Sequence, residues 1–177
     1  SYNNVGSLCL QRGDYESAHV WFDRALKLKD NAEAKVNLGL LALKDGDLSK
    51  ATSLIAEGSA LPGVGDALGY LYLRQGDYAK AETAYGDVTT NNAAVAQILN
   101  HNYSKAVKTL EAIAKPDATT DYLRAIVATR MGDTSLAISS LQKALQKDAS
   151  LASRIDYDLE FARLRGMRDF SQLLRLH

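Results

Sequence analysis

Small and large apolar side chains follow one another along this chain at spacings that favour helices separated by short turns. In residues 15–28, Ala18 and Ala25 lie two helical turns apart, and Phe22 falls between them on the same face. Small residues let two helices approach closely, and the large side chain fills the space between them. Gly13-Asp14 comes just before this segment; glycine can end one helix, and aspartate can cap the next. The pattern predicts a helix on each side of this turn.

The turn recurs along the whole chain with an alanine at a fixed distance after it. It reads GDYESA at 13–18, GDLSKA at 46–51, GDYAKA at 76–81, HNYSKA at 101–106 and GDTSLA at 132–137. Successive copies begin 33, 30, 25 and 31 residues apart. A period of this length is typical of solenoids, in which stacked units share one continuous core. The shorter interval before the fourth copy leaves 92–100 room for only about two and a half helical turns.

The composition argues against several classes of protein but does not indicate a function. The 177 residues are 46% hydrophobic and 24% charged, which is ordinary for a globular domain. Lys+Arg and Asp+Glu both number 21, so no overall field draws the protein to nucleic acid or to an anionic membrane. No apolar run approaches the length of a membrane span, so direct membrane insertion is not expected. Cys9 is the single cysteine, and the opening SYNNVG suggests a fragment of a longer chain.

The turn, small and aromatic positions together define a family resemblance. In the first copy these positions are Gly6, Cys9, Gly13, Asp14, Tyr15, Ala18, Phe22, Ala25 and Asp30. In the third they are Leu68, Gly69, Gly76, Asp77, Tyr78, Ala81 and Tyr85. This pattern resembles the tetratricopeptide repeat. The resemblance implies an all-α, right-handed α-solenoid of about five antiparallel helix pairs followed by C-terminal capping helices.

The resemblance also implies a domain organisation. Residues 1–153 form the repeat array, with units at about 1–31, 32–62, 63–90, 91–116 and 117–149, and residues 154–177 form the capping helices. Tetratricopeptide arrays generally bind peptides or protein segments in a concave groove lined by the first helix of each pair. A non-catalytic protein-interaction scaffold or adaptor is therefore expected, with another protein or peptide as its partner.

Carrying the groove positions onto this sequence gives a set of candidate contacts. We expect Leu40, Tyr70 and Ile126 to hold apolar side chains of a ligand, and Lys44, Arg74 and Arg130 to hold its carboxylates or carbonyls. Alternatively, the apolar residues pack against a neighbouring helix and the cations are ordinary solvated side chains. The full set of predicted groove residues is Asn37, Leu40, Lys44, Asp66, Tyr70, Arg74, Tyr122, Ile126 and Arg130.

The family's two-carboxylate clamp, which captures chaperone tails, is matched at Asn37 alone, so that ligand is not expected. His19, His101 and His177 are scattered, and no Gly-rich phosphate loop is present, so we expect no enzyme activity, cofactor or metal. The acids at 156, 158 and 160 are interpreted as residues at a helix start.

Several alternatives remain open at this point. The array could be a self-assembly or intramolecular docking surface of a larger envelope protein, with a homo-oligomer as one form. It could also be the substrate-docking domain of an enzyme. RNA-reading solenoids need recurring base-reading residues on a basic surface, and these are absent here. The irregular fourth unit and the ending resemble bacterial envelope-associated repeat proteins more than eukaryotic co-chaperones, and this resemblance implies a location in the bacterial periplasm or cell envelope.

Overall fold

The polar turns fold as their sequence predicts. The computed structural model describes residues 1–28 and 31–177, so Asp30 of the predicted pattern lies outside the described residues. The turn glycines have left-handed backbones, with φ of 78° at Gly13, 84° at Gly46, 78° at Gly76 and 83° at Gly132. The residue after each glycine caps the next helix: Asp47 Oδ1, for example, accepts a 3.0 Å hydrogen bond from the Lys50 amide. The helix boundaries therefore follow from local chemistry.

The chain divides into two compact units, residues 1–86 and 87–177, and each is described by itself. The first contains α1 (Tyr2–Gln11), α2 (Tyr15–Leu28), α3 (Ala32–Lys44), α4 (Leu48–Glu57), α5 (Val64–Gln75) and α6 (Tyr78–Tyr85). The second contains α7 (Asn91–Leu99), α8 (Tyr103–Glu111), α9 (Ala118–Arg130), α10 (Thr134–Lys147), α11 (Leu151–Tyr157), a 3-10 helix (Leu159–Leu164) and α12 (Arg168–Arg175). No strand occurs in residues 1–28 or 31–177.

Each odd-numbered helix from α1 to α9 packs against the even-numbered helix that follows it. In the first unit the close approach depends on glycine facing a large side chain. A Cβ on Gly39 would come within 2.6 Å of Ile55 Cγ1, and one on Gly69 within 2.7 Å of the Tyr85 ring. Ala18 and Phe22 are fully buried, as their spacing predicts. The predicted all-α solenoid of helix pairs is confirmed.

The second unit contains the irregular pair. Helix α7 has nine residues, which matches the two and a half turns predicted for it. His101 follows it with φ of 60°, where the other turns have glycine, and this is the one non-glycine residue with positive φ among those described. Asn102 takes the place of the capping aspartate, with its side chain accepting from the Lys105 amide at 3.4 Å.

The C-terminal residues close the core of the second unit. Phe161, Leu164, Phe170 and Leu173 are buried in one cluster with Leu141 and other residues of α9, α10 and α11. Helix α12 packs against α10, and the 3-10 helix packs against α9. Burying three to four large apolar side chains in this way stabilises the end of the array by several kcal/mol, at about 1.5–3 kcal/mol for each. These elements act as the predicted capping segment.

Candidate protein-binding surface

The first unit presents an exposed row of side chains on its odd-numbered helices. Leu40 on α3 is 39% exposed, and Tyr70 on α5 is 46% exposed. Each is followed one turn later by an exposed cation, Lys44 and Arg74 respectively. Asp66 lies one turn before Tyr70 and is also exposed. We call these five residues the open face.

The cations of the open face rest on aromatic rings. The Arg74 guanidinium lies 5.9 Å from the centre of the Tyr70 ring, and the Lys44 ammonium lies 3.8 Å from that of Tyr15. Both cations are in the last turn of their helices, where the negative end of the helix dipole favours them. Neither forms an ion pair with a carboxylate among the described residues. Their charges are therefore available to an anionic ligand.

A buried tyrosine supports the α5 part of the open face. Tyr85 on α6 is 4% exposed, and its ring lies against Gly69, so that α5 and α6 touch closely. Its hydroxyl is buried and has no hydrogen-bond partner among the described residues. Burial, and then the nearby Asp66 carboxylate, raise the pKa of Tyr85 to about 12. In the sequence Tyr85 belongs only to the repeat pattern, and spacing along one helix does not indicate that it lies near Asp66 on another.

The Asn37 side chain takes part in a hydrogen-bond network inside the first unit. Its side-chain nitrogen donates to Asn3 Oδ1 at 3.0 Å, and the Asn3 nitrogen donates to Glu33 Oε2 at 2.9 Å. Asn3 is 7% exposed, so the network lies between α1 and α3 and satisfies polar groups inside the unit. The structure thus gives Asn37 a role in holding two helices together, and its ligand contact stays a prediction.

The corresponding face of α9 is covered by the chain itself. Tyr122 is 5% exposed, donates a hydrogen bond to Asp158, and meets the Phe161 ring edge-on at 5.4 Å. Arg130 donates to Glu160 through Nε at 2.9 Å and Nη2 at 2.5 Å. We call residues 158–164 the closing segment.

The closing segment already contacts both Tyr122 and Arg130, so the ligand contacts expected of these two residues stay a prediction. Ile126 is half-buried and packs in the clusters on either side of α9. The acids of the closing segment have two roles. Asp158 Oδ1 caps the 3-10 helix by accepting from the Glu160 amide at 3.0 Å, as a residue at a helix start should. Glu160 instead pairs with Arg130, which raises the pKa of that guanidinium.

A second group of charges in this unit is structural. Asp121 is 1% exposed and pairs with Lys147 at 2.6 Å and Arg124 at 3.3 Å. Arg124 also donates to the Leu110 carbonyl at 2.9 Å. These contacts tie α8, α9 and α10 together. Among the described residues there is no group of three or more side chains suited to hold a metal ion. Nor does any described helix combine the length and apolar character needed to cross a membrane.

Paired helices joined by glycine-capped turns, with small residues facing large ones, define an α-helical repeat protein. Two models of the tetratricopeptide repeat family match the sequence, over residues 6–58 and over residues 66–95. The chain therefore contains tetratricopeptide repeats over these two stretches.

Solved structures of MamA share this fold. The structure of MamA AMB-1 superposes with a TM-score of 0.69 at 17% identity, covering 92% of this chain and 95% of that one. The structure of MamA MSR-1 superposes with a TM-score of 0.65 at 19% identity, covering 84% and 95%. No curated protein matches the sequence significantly. These structures show the same fold, and the tetratricopeptide repeats support a general role in protein–protein interaction.

Proposed function

We propose that this chain is a non-catalytic scaffold that binds a peptide or protein segment on the open face of the first unit. The observation that carries the proposal is the exposure of Tyr70 beside an unpaired Arg74. An exposed aromatic ring with a planar cation next to it offers one partner both apolar contact and directed hydrogen bonds. Aromatic and arginine side chains are also those that most often dominate binding energy at protein interfaces.

The alternative, that this row packs against a neighbouring helix, does not fit the exposure of its members. Leu40 and Tyr70 each keep more than a third of their surface in contact with solvent. The same position on α9 is half-buried, because the capping elements of that unit lie against it. The open face is therefore exposed, whereas the corresponding positions on α9 are occupied by the capping elements.

A peptide selection tests this proposal. The full chain is screened against a random peptide library, and the selected peptides are measured against Tyr70→Ala and Leu40→Ala. Tyr157→Ala is the matched control, since Tyr157 is 81% exposed but lies on α11. Weaker binding to the two open-face variants, with binding to the control unchanged, supports the proposal. Equal binding to all four proteins would place the binding surface elsewhere.

A second candidate is self-assembly, favoured by an apolar row on α1. Tyr2, Val5 and Leu8 are 41%, 38% and 51% exposed, and they lie on neighbouring turns of the helix. A second copy could bury this row. Sedimentation velocity over a range of concentrations would show association that Leu8→Asp abolishes; a monomer at every concentration would exclude it. Location in the bacterial periplasm or cell envelope is a further part of our proposal, which fractionation of the source cells would test.

A further inference from the structure

Helices α5 and α9 are equivalent helices of two repeats, and their residues can be aligned position by position. Arg74 and Arg130 each stand two residues before the turn glycine of their repeat, at 76 and 132. Counting back one turn at a time, Tyr70 corresponds to Ile126 and Asp66 corresponds to Tyr122. The α9 positions are covered by the closing segment, whereas the α5 positions are exposed. The second unit therefore shows how this face of a repeat is occupied.

The occupant of α9 has a definite chemistry. Glu160 accepts two hydrogen bonds from the Arg130 guanidinium, at 2.9 and 2.5 Å, in the fork geometry that suits a carboxylate. Asp158, two residues earlier, accepts from the Tyr122 hydroxyl. Phe161 follows the glutamate directly and is fully buried. An acid followed directly by an apolar side chain is thus the motif that this face binds within the chain.

We propose that α5 binds a short segment of a partner protein in the same way, with a glutamate or aspartate of the partner on Arg74 and an adjacent apolar side chain on Tyr70. The inference rests on the proposed function and specifies its ligand. Arg74 has no carboxylate partner among the described residues, so the ligand supplies the missing charge.

The difference between Asp66 and Tyr122 predicts how the ligand departs from the closing segment. Tyr122 donates a hydrogen bond to Asp158, but the Asp66 carboxylate is an acceptor and carries a negative charge. A second acid at the position of Asp158 would be repelled by Asp66, whereas a lysine there would pair with it. The preferred segment therefore has a basic residue, one intervening residue, an acid and then an aromatic residue.

The closing segment of a second copy is a poor candidate for this ligand. Its Phe161 is fully buried, and its Glu160 is already paired with Arg130. Releasing the segment would uncover the core cluster that Phe161 shares with Leu141 and Leu164. A segment of another protein can bind the open face without exposing this core cluster.

Labelled peptides copying residues 156–164 provide the test, read by fluorescence anisotropy with the full chain. Three versions are compared: the native sequence, Asp158→Lys, and Asp158→Lys with Glu160→Lys. We expect the Asp158→Lys peptide to bind tightest and the peptide with both changes to bind about tenfold more weakly. Equal binding of all three peptides, or preference for the native one, would overturn the inference.

Variants of the protein locate the contacts. Arg74→Glu should lower the affinity for the Asp158→Lys peptide by about tenfold. It should raise the affinity for the peptide that also carries Glu160→Lys. Asp66→Lys should shift the preference toward the native peptide. Lys50→Glu makes a comparable charge change at an exposed site on α4 and should leave every affinity unchanged. No change with Arg74→Glu would contradict the inference.

The same measurements separate this inference from the proposed function. Library peptides that need Tyr70 but carry no acidic residue would refute the acidic motif and leave the scaffold proposal standing. If neither the library nor the designed peptides bound the open face, both would fall.

Discussion

Arg130 on α9 and Glu160 in the closing segment form a two-point ion pair, with nitrogen–oxygen distances of 2.9 and 2.5 Å. The two side chains are only 23% and 29% exposed, so solvent screens the pair less than it would at the surface. Arg130 also donates to the carbonyl of Ile98 on α7 at 3.4 Å. One guanidinium therefore joins the fourth repeat, the fifth repeat and the closing segment.

Replacing Arg130 with alanine should destabilise the second unit. The change removes charge-assisted hydrogen bonds and leaves Glu160 half-buried without its partner, which costs about 1–3 kcal/mol. Denaturant unfolding would measure the loss. A double-mutant cycle with Glu160→Ala would isolate the pairwise energy. A coupling energy near zero would show that the pair contributes nothing beyond packing.

Two tyrosines make a matched test of hydroxyl energetics. Tyr122 and Tyr85 are 5% and 4% exposed, but the Tyr122 hydroxyl donates to Asp158, whereas the Tyr85 hydroxyl has no partner within residues 1–28 and 31–177. Tyr122→Phe should lower the free energy of unfolding by about 1–2 kcal/mol, whereas Tyr85→Phe should leave it unchanged or raise it by up to about 1 kcal/mol. Thermal and denaturant unfolding of both variants checks the contrast. A loss at Tyr85 equal to that at Tyr122 would mean that the Tyr85 hydroxyl has a partner in solution.

The fold could be predicted from sequence because its determinants are local. A turn glycine, the capping residue after it and the alanine beyond all act within a few positions, and the structure repeats them at 13–18, 46–51, 76–81 and 132–137. Even the departure at His101 could be located, since it falls where the other copies have glycine.

The candidate site was only partly predictable, because its decisive contacts are distant in sequence. Helical periodicity placed Asp66, Tyr70 and Arg74 on one face. It contained nothing about Glu160, which reaches Arg130 across 30 residues, or about Asn3, which binds Asn37 across 34. Arg74 and Arg130 occupy equivalent positions before their turn glycines, and only the structure shows that one is exposed and the other is paired with Glu160.

Close helix contacts make some glycines sensitive to size. A Cβ at Gly39 would lie 2.6 Å from Ile55 Cγ1 and 3.1 Å from the Ala51 carbonyl oxygen, and the backbone oxygen cannot move easily. Gly39→Ala should therefore destabilise the first unit by about 1–3 kcal/mol, although alanine is the better helix former. Gly166→Ala is the control, because nothing lies within 4 Å of its added Cβ. Melting temperatures of the two variants, measured side by side, test the packing; equal values would contradict it.

Acid should weaken the start of α9 through Asp117. Its carboxylate accepts from the Thr120 amide at 2.8 Å, and this hydrogen bond, with smaller contributions from the Thr120 and Asn91 side chains, lowers the pKa of Asp117. A carboxylate with a lowered folded-state pKa contributes stability above its unfolded value of about 4 and loses it as the pH falls through the folded value. Asparagine caps helices equally well but does not titrate.

The variant Asp117→Asn should therefore lose less of its melting temperature than the wild type between about pH 5 and pH 2.5, the range in which a carboxyl with a lowered pKa takes up its proton. Circular dichroism melts at several pH values give the comparison. Asp156→Asn removes the same charge from an exposed position and shows the effect of charge alone. If Asp117→Asn and Asp156→Asn have the same acid dependence, the cap is not the group that acid disrupts.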